Sequence, residues 1–142
     1  MDVRVRVRRA RRDDLDRVRA LVGEPAPASL AERKRWRHLV STLREDCYLA
    51  EREDDDVLLG LVVIVYTRGL GLPVAVVRTL HGPSDAVAQA LLGCARRRAR
   101  SHGCARLEVQ LPQESPLEPA LTASLLGSGW QPGPRTLVCA LS

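Results

Sequence analysis

The sequence predicts an α/β fold of three layers, a central mixed sheet of about six strands with helices on both faces. Three observations carry that expectation. Leu58–Tyr66 and Val74–Leu80 are apolar, β-branched runs, suited to central strands covered on both sides. Pro73–Ala99 reads as strand, tight turn and helix. Stretches with helical apolar spacing are interleaved with strand-like ones along the chain rather than segregated from them.

Taken in order, Val3, Val5 and Val7 alternate with Arg4, Arg6 and Arg8, a strand with one buried face and one charged outer face. That arginine face meets solvent or, less commonly, a nucleic-acid backbone. Asp13 or Asp14 can cap a helix through Val22, with Leu15, Val18, Leu21 and Val22 on one side. Gly23–Pro27 breaks it. Ser29 and Glu32 have capping-box spacing and open a second helix to about Arg44, striped by Trp36, Leu39, Val40 and Leu43. Trp36 packs in a core or lines a ligand cleft, the first being the commoner use. Arg33, Lys34, Arg35 and Arg37 lie early in this helix, against its dipole unless an anion or acidic residues compensate.

Cys47–Glu51 is a short strand and the acidic Arg52–Asp56 a turn. After Leu58–Tyr66 come the Thr67–Pro73 loop and Val74–Leu80. Ser84 or Asp85 caps a helix striped by Val87, Ala90, Leu91, Cys94, Ala95 and Ala99, with Arg96, Arg97, Arg98 and Arg100 near its favourable C-terminal end and Gly103 beyond it. Leu107–Leu111 is a strand, Pro112–Pro119 a loop, Ala120–Leu126 a short helix stopped by Gly127 and Gly129, and Thr136–Leu141 the last strand.

The 142 residues suit one domain, 1–142, with one core. With only Trp36, Trp130, Tyr48 and Tyr66 and no Phe, that core is built from Leu, Val and Ala. The formal net charge of +5 comes almost wholly from arginine, Lys34 being the single lysine. It admits an anionic ligand, but without interleaved aromatics and basic residues nucleic acid is not the expected partner. No apolar run approaches the roughly 18–20 residues of a membrane span, and MDVRVRVRR lacks the apolar stretch of a signal peptide. A cytoplasmic protein with no membrane association is expected. Cys47, Cys94, Cys104 and Cys139 have no metal-site spacing, so they are read as reduced and buried, with no metal cofactor.

The chain resembles the GCN5-related N-acetyltransferase (GNAT) superfamily along nearly its whole length. Val5–Arg9, Ala10 and Asp13–Leu15 are similar to the family's opening VxxRxAxxxDL stretch. Ala90–Val109 matches its pattern of helix, Gly-Cys and strand, and Ser128, Gly129 and Trp130 resemble the Leu-Gly-Phe that closes the last helix. Thr67–Pro73 resembles a hairpin loop of members that act on small amines. The resemblance implies a three-layer GNAT-like fold and an acyl-CoA-dependent N-acyltransferase, moving acetyl from acetyl-CoA as co-substrate to a small amine or a protein amino group. It places acyl-CoA contacts at Arg78, Thr79 and Leu80 and at the helix turn Ala86, Val87 and Ala88. Orientation and the backbone amides of Arg78–Leu80 would then carry catalysis. The base is His81, an imidazole able to exchange protons near neutrality, or Glu108 on the adjacent strand. The commoner roles of these two are a turn residue and an arginine partner.

Three departures accompany the resemblance. The family's pyrophosphate turn, Arg/Gln-x-x-Gly-x-Gly/Ala, falls on Pro83–Ala88, where only Ala88 fits. Ala86 adds a methyl where backbone would approach phosphate, and Asp85 brings a carboxylate able to take the first-turn amides itself. Leu125 stands where relatives place a tyrosine acid, and Arg78 falls near an acidic position of amine-acetylating members. The alternative is a non-catalytic GNAT-fold protein, binding a ligand or partner after losing CoA. A homodimer is compatible with either.

Overall fold

The computed structural model describes residues 4–67, 71–82, 84–110, 125, 127, 129–132 and 136–141. The elements are β1 (Val5–Arg9), a 3₁₀ turn (Arg12–Asp14), α1 (Leu15–Leu21), α2 (Leu30–Ser41), β2 (Glu45–Arg52), β3 (Leu58–Thr67), β4 (Val74–His81), α3 (Asp85–Ser101), β5 (Arg106–Gln110), β6 (Gln131–Pro132) and β7 (Thr136–Ala140). The strands form one sheet in the order β1-β2-β3-β4-β5-β7-β6. The six strands expected from sequence are present, and the two-residue β6 adds a short edge beside β7.

β1 to β4 are antiparallel neighbours, β5 pairs antiparallel with β7, and only β4 and β5 run parallel. Two parallel neighbours need a crossover, and α3 supplies it. Leu58–Tyr66 and Val74–Leu80 are adjacent central strands, as their composition requires.

Two apolar layers sandwich the sheet. On one face Ala50, Val62, Ile64, Ala75, Val77, Leu107 and Val109 meet α3 through Val87, Ala88, Leu91, Leu92, Ala95 and Ala99. On the other, Cys47, Leu49, Leu61 and Val63 meet Val18 of α1 and Trp36 of α2. Alternate residues of β2 and β3 divide cleanly between the two, the period-two rule of a sheet covered on both sides. Leu49, Ile64, Leu91 and Leu107 are fully buried, each contributing roughly 1.5–3 kcal/mol.

Several boundaries differ from expectation. α2 stops at Ser41 because Thr42 turns extended, so Leu43 leaves the stripe and lies 85% exposed. Val22 is likewise exposed, and Ala90 only half-buried. Neither Asp13 nor Asp14 caps α1 by its side chain. Asp14 instead accepts from the Arg11 amide and from Arg8, which holds the 3₁₀ turn against β1. The expected loop Pro112–Pro119 and the helix Ala120–Leu126 lie outside the described residues, apart from Leu125, which is helical and fully buried.

Gly60 fixes the junction between β3, β4 and α3. A Cβ there would overlap the His81 carbonyl oxygen and meet Val87 Cγ1 at 3.0 Å. The missing side chain lets the end of β4 and the first turn of α3 close over β3.

Candidate functional site

Pairing between β4 and β5 covers Val74–Val77 against Arg106–Val109. β4 itself continues to His81, beyond its last paired residue on the β5 side. At the same point the β3–β4 register breaks: Val63 faces Thr79 while Ile64 faces Val77, leaving Arg78 as an extra residue. This is a β-bulge, and one extra residue exchanges the two faces of everything after it. Ala75 and Val77 point into the α3-side core, but beyond the bulge Leu80 takes that side, opposite Val62. Thr79 and His81 therefore emerge on the α1/α2 side, opposite Val63 and Leu61. Simple alternation would put them on the wrong face.

α3 begins where β4 ends. Ser84 is extended and its Oγ accepts from the Val87 amide at 3.3 Å, while its carbonyl accepts from the Ala88 amide at 3.1 Å. The cap is thus Ser84 and not Asp85, which is already the first helical residue. The carboxylate of Asp85 still lies in the first turn, where it takes up the dipole's attraction for an anion. Val87 and Ala88 direct their side chains into the core, leaving only backbone for any ligand, whereas the Ala86 side chain is exposed. Pro83 lies outside the described residues.

The two candidate bases are on one face but far apart. Glu108 lies beside Val76, five residues before His81, a separation of roughly 16 Å at the rise of a strand. Glu108 is paired with Arg106 at 2.9 Å. His81 is half-buried at the parting of β4 from β5. Arg78 and Thr79 are exposed there and Leu80 is half-buried.

The opposite end of the sheet holds charge of a different kind. The Asp46 carboxylate is 2% exposed and accepts from Arg9 at 3.1 Å, Arg98 at 3.0 Å and the Tyr66 hydroxyl. His102 stacks on Tyr66 with ring centroids 3.8 Å apart, its Nε2 3.6 Å from Asp46. Burial and the Asp46 hydrogen bond push the Tyr66 phenol well above its ordinary value. Across the sheet, Arg8 donates to Glu51 at 2.6 Å and to Asp14 at 2.8 Å, with Arg17 beside both carboxylates. The Arg8 hydrogen bonds hold Asp14 and Glu51 below the usual carboxylate range. The expected outer arginine face of β1 is present, with Arg4 and Arg6 exposed, and within it Arg8 is held by Glu51 and Asp14 while Arg6 reaches Asp56.

No protein-family model matches the chain, and no curated protein matches it. Solved structures do. A probable acetyltransferase from Staphylococcus epidermidis superposes with a TM-score of 0.78 at 13% identity, covering 98% of this chain and 100% of its own. An acetyltransferase from Trypanosoma brucei gives 0.73 at 16%, covering 93% and 96%. The GCN5-related glucosamine N-acetyltransferase region of a fungal multi-domain β-N-acetylglucosaminidase gives 0.70 at 16%, covering 92% of this chain and 17% of that one. The chain has the GNAT fold.

Within the GNAT fold, the parting of β4 and β5 and the first turn of α3 are the places where the resemblance sets acyl-CoA contacts. At the first of these places the β4 backbone carries the bulge at Arg78, just past its last described pair with β5. The helix turn suits a pyrophosphate less well, because Ser84 already holds the Val87 amide and Asp85 supplies negative charge. Leu125, which the resemblance sets at the tyrosine position of relatives, is fully buried in the α3-side core. Among the described residues no group of His, Cys, Asp or Glu could hold a metal ion, and no helix is long and apolar enough to cross a membrane. All four cysteines are free and buried. Burial pushes the Cys47 thiol up to about 12, which removes it as a nucleophile.

Sequence reasoning missed the Asp46 cluster. Starting β2 at Cys47 leaves Asp46 in a loop, and nothing local joins it to Arg98 or His102, more than fifty residues away. A charged residue directly before an apolar strand was the only signal.

Proposed function

We propose that the chain is an acyl-CoA-dependent N-acyltransferase that moves an acetyl group from acetyl-CoA to a small amine or a protein amino group. The observation that carries the reading is the bulge at Arg78, next to Val77, where the described β4–β5 pairing ends, on the strand that leads into α3. Strand amides at this point can meet a carbonyl oxygen, the arrangement that stabilises developing negative charge. The amine nitrogen attacks the thioester carbon, the C–S bond breaks, and sulfur leaves with the electron pair. His81, turned by the bulge onto the α1/α2 side, accepts the proton the amine gives up. Glu108 serves less well, since it is held by Arg106. Rate then rests chiefly on orientation. We place this activity in the cytoplasm, with a homodimer as the form to test.

A second reading has its own support. Ser84 occupying the Val87 amide, Asp85 in the first turn and Leu125 in the core favour a GNAT-fold domain that binds a ligand or partner without catalysis. Titration calorimetry with acetyl-CoA and CoA, paired with an assay of thiol release over a panel of amines, separates the two. Saturable, amine-dependent release that falls at least tenfold in His81→Ala supports the transferase. No binding of either thioester or thiol overturns it in favour of the second reading.

A further inference from the structure

We propose that the concavity between the 3₁₀ turn and α2 is a second ligand site, for a phosphorylated sugar or similar polyol phosphate. It lies at the Arg9–Glu45 end of the sheet, away from the parting of β4 and β5. Its volume is about 420 Å³, within the range of small-molecule sites.

The floor is apolar, made by Leu15 and the buried Trp36. Trp36 is fixed there by its indole N–H, which donates to the Arg11 carbonyl at 3.0 Å. The rim carries Arg12 from the turn and Arg33 and Arg37 from α2, one helical turn apart on the same side. Asp13 and Asp16 stand on the α1 side of the opening.

Elsewhere in this molecule arginines beside carboxylates close into ion pairs, as with Arg8, Arg9 and Arg98. Here, among the described residues, the exposed Arg12, Arg37, Asp13 and Asp16 form none, and the exposed Arg33 only reaches the Ala28 carbonyl at 3.5 Å. Cations and carboxylates share one opening, solvated and unpaired with each other, open to a ligand. Guanidinium groups fit a phosphate dianion with paired hydrogen bonds. The two carboxylates fit hydroxyl donors, and the floor fits the C–H face of a ring.

Calorimetry on the intact chain with glucose 6-phosphate, glucose and inorganic phosphate tests the assignment. The ester should bind saturably. Glucose should bind at least about tenfold more weakly, the loss expected for a charge-assisted contact. The double variant Arg33→Gln/Arg37→Gln, checked for an unchanged circular dichroism spectrum, should weaken the ester by at least about tenfold. It should leave titration with acetyl-CoA as in the parent chain. If that variant does not fold, Arg12→Gln is the substitute, with the same direction expected. Undiminished binding in a folded variant, equal binding of inorganic phosphate, or no binding of the ester at millimolar concentration would overturn the proposal.

Discussion

The two ends of the sheet solve opposite problems. At the Arg9–Asp46–Tyr66–His102 end, side chains from β1, β2, β3 and α3 converge on one buried carboxylate and close the end with charge. At the His81–Ser84 end, β4 bulges at Arg78 and runs on toward α3, and among the described residues no ion pair closes it. The first arrangement spends its polar groups on holding the layers together. The second is shaped by backbone register and a helix cap instead. The difference teaches where to look for chemistry: the cluster with the most ionic contacts is the structural one.

The largest effect should come from breaking the closed end. Asp46→Ala leaves Arg9, Arg98 and Tyr66 facing a void. Removing one partner of a buried ion pair costs roughly 3–5 kcal/mol, and solvent reaching the Arg9 and Arg98 left behind holds this case to about 3 kcal/mol. Urea denaturation would measure it, and a loss under 1 kcal/mol would make the cluster ornamental.

Gly60→Ala attacks the open end by sterics. The new methyl must displace the His81 carbonyl, which is backbone and cannot swing aside, so about 2 kcal/mol should be lost. Any acyl-transfer activity should fall more than stability does, because the displaced group belongs to the site. Equal activity in the folded variant would separate the bulge from function.

Arg8→Gln probes the ionic group on the α1 side. Asp14 and Glu51 have folded pKa values below their unfolded ones, so their stabilisation is complete above the ordinary carboxylate range and is lost as pH falls through the lowered values. Removing Arg8, their largest shared cause, should cost on the order of 1–2 kcal/mol at neutral pH and flatten the acid limb of stability. An unchanged acid limb would show that Arg17 alone holds both carboxylates.

Ser84→Ala should cost the least, about 1 kcal/mol, the worth of an N-cap. It also frees the Val87 amide. If the open end takes acyl-CoA, calorimetric affinity should rise as stability falls. A parallel loss of both would mean that Ser84 positions the turn for its ligand.

The layers were legible because periodicity is a local property. Leu58–Tyr66, Val74–Leu80 and the α3 stripe each declare themselves within a few residues. The Ser29–Glu32 box was likewise read from spacing and is present, with the Glu32 amide donating to Ser29 Oγ at 3.1 Å. What sequence could not show depends on register. The bulge at Arg78 is one residue of slippage between β3 and β4, visible only once they are paired. It decides the face of His81, yet Val77, Arg78 and Thr79 carry no mark of it. The ion pairs of Arg8 were hidden for the same reason, because Glu51 and Asp14 reach it only through pairing and a turn.

The buried cysteines give the molecule an internal clock. Cys47 sits in the layer under α1 and α2, while Cys104 and Cys139 belong to the layer under α3. A thiol reagent can reach each sulfur only when its layer opens, so modification rates count openings rather than reactivity. Matching rates for Cys47 and Cys139 under native conditions would mean that the sheet breathes as a unit. Faster labelling on one side would show which layer detaches first, with no probe added to the chain.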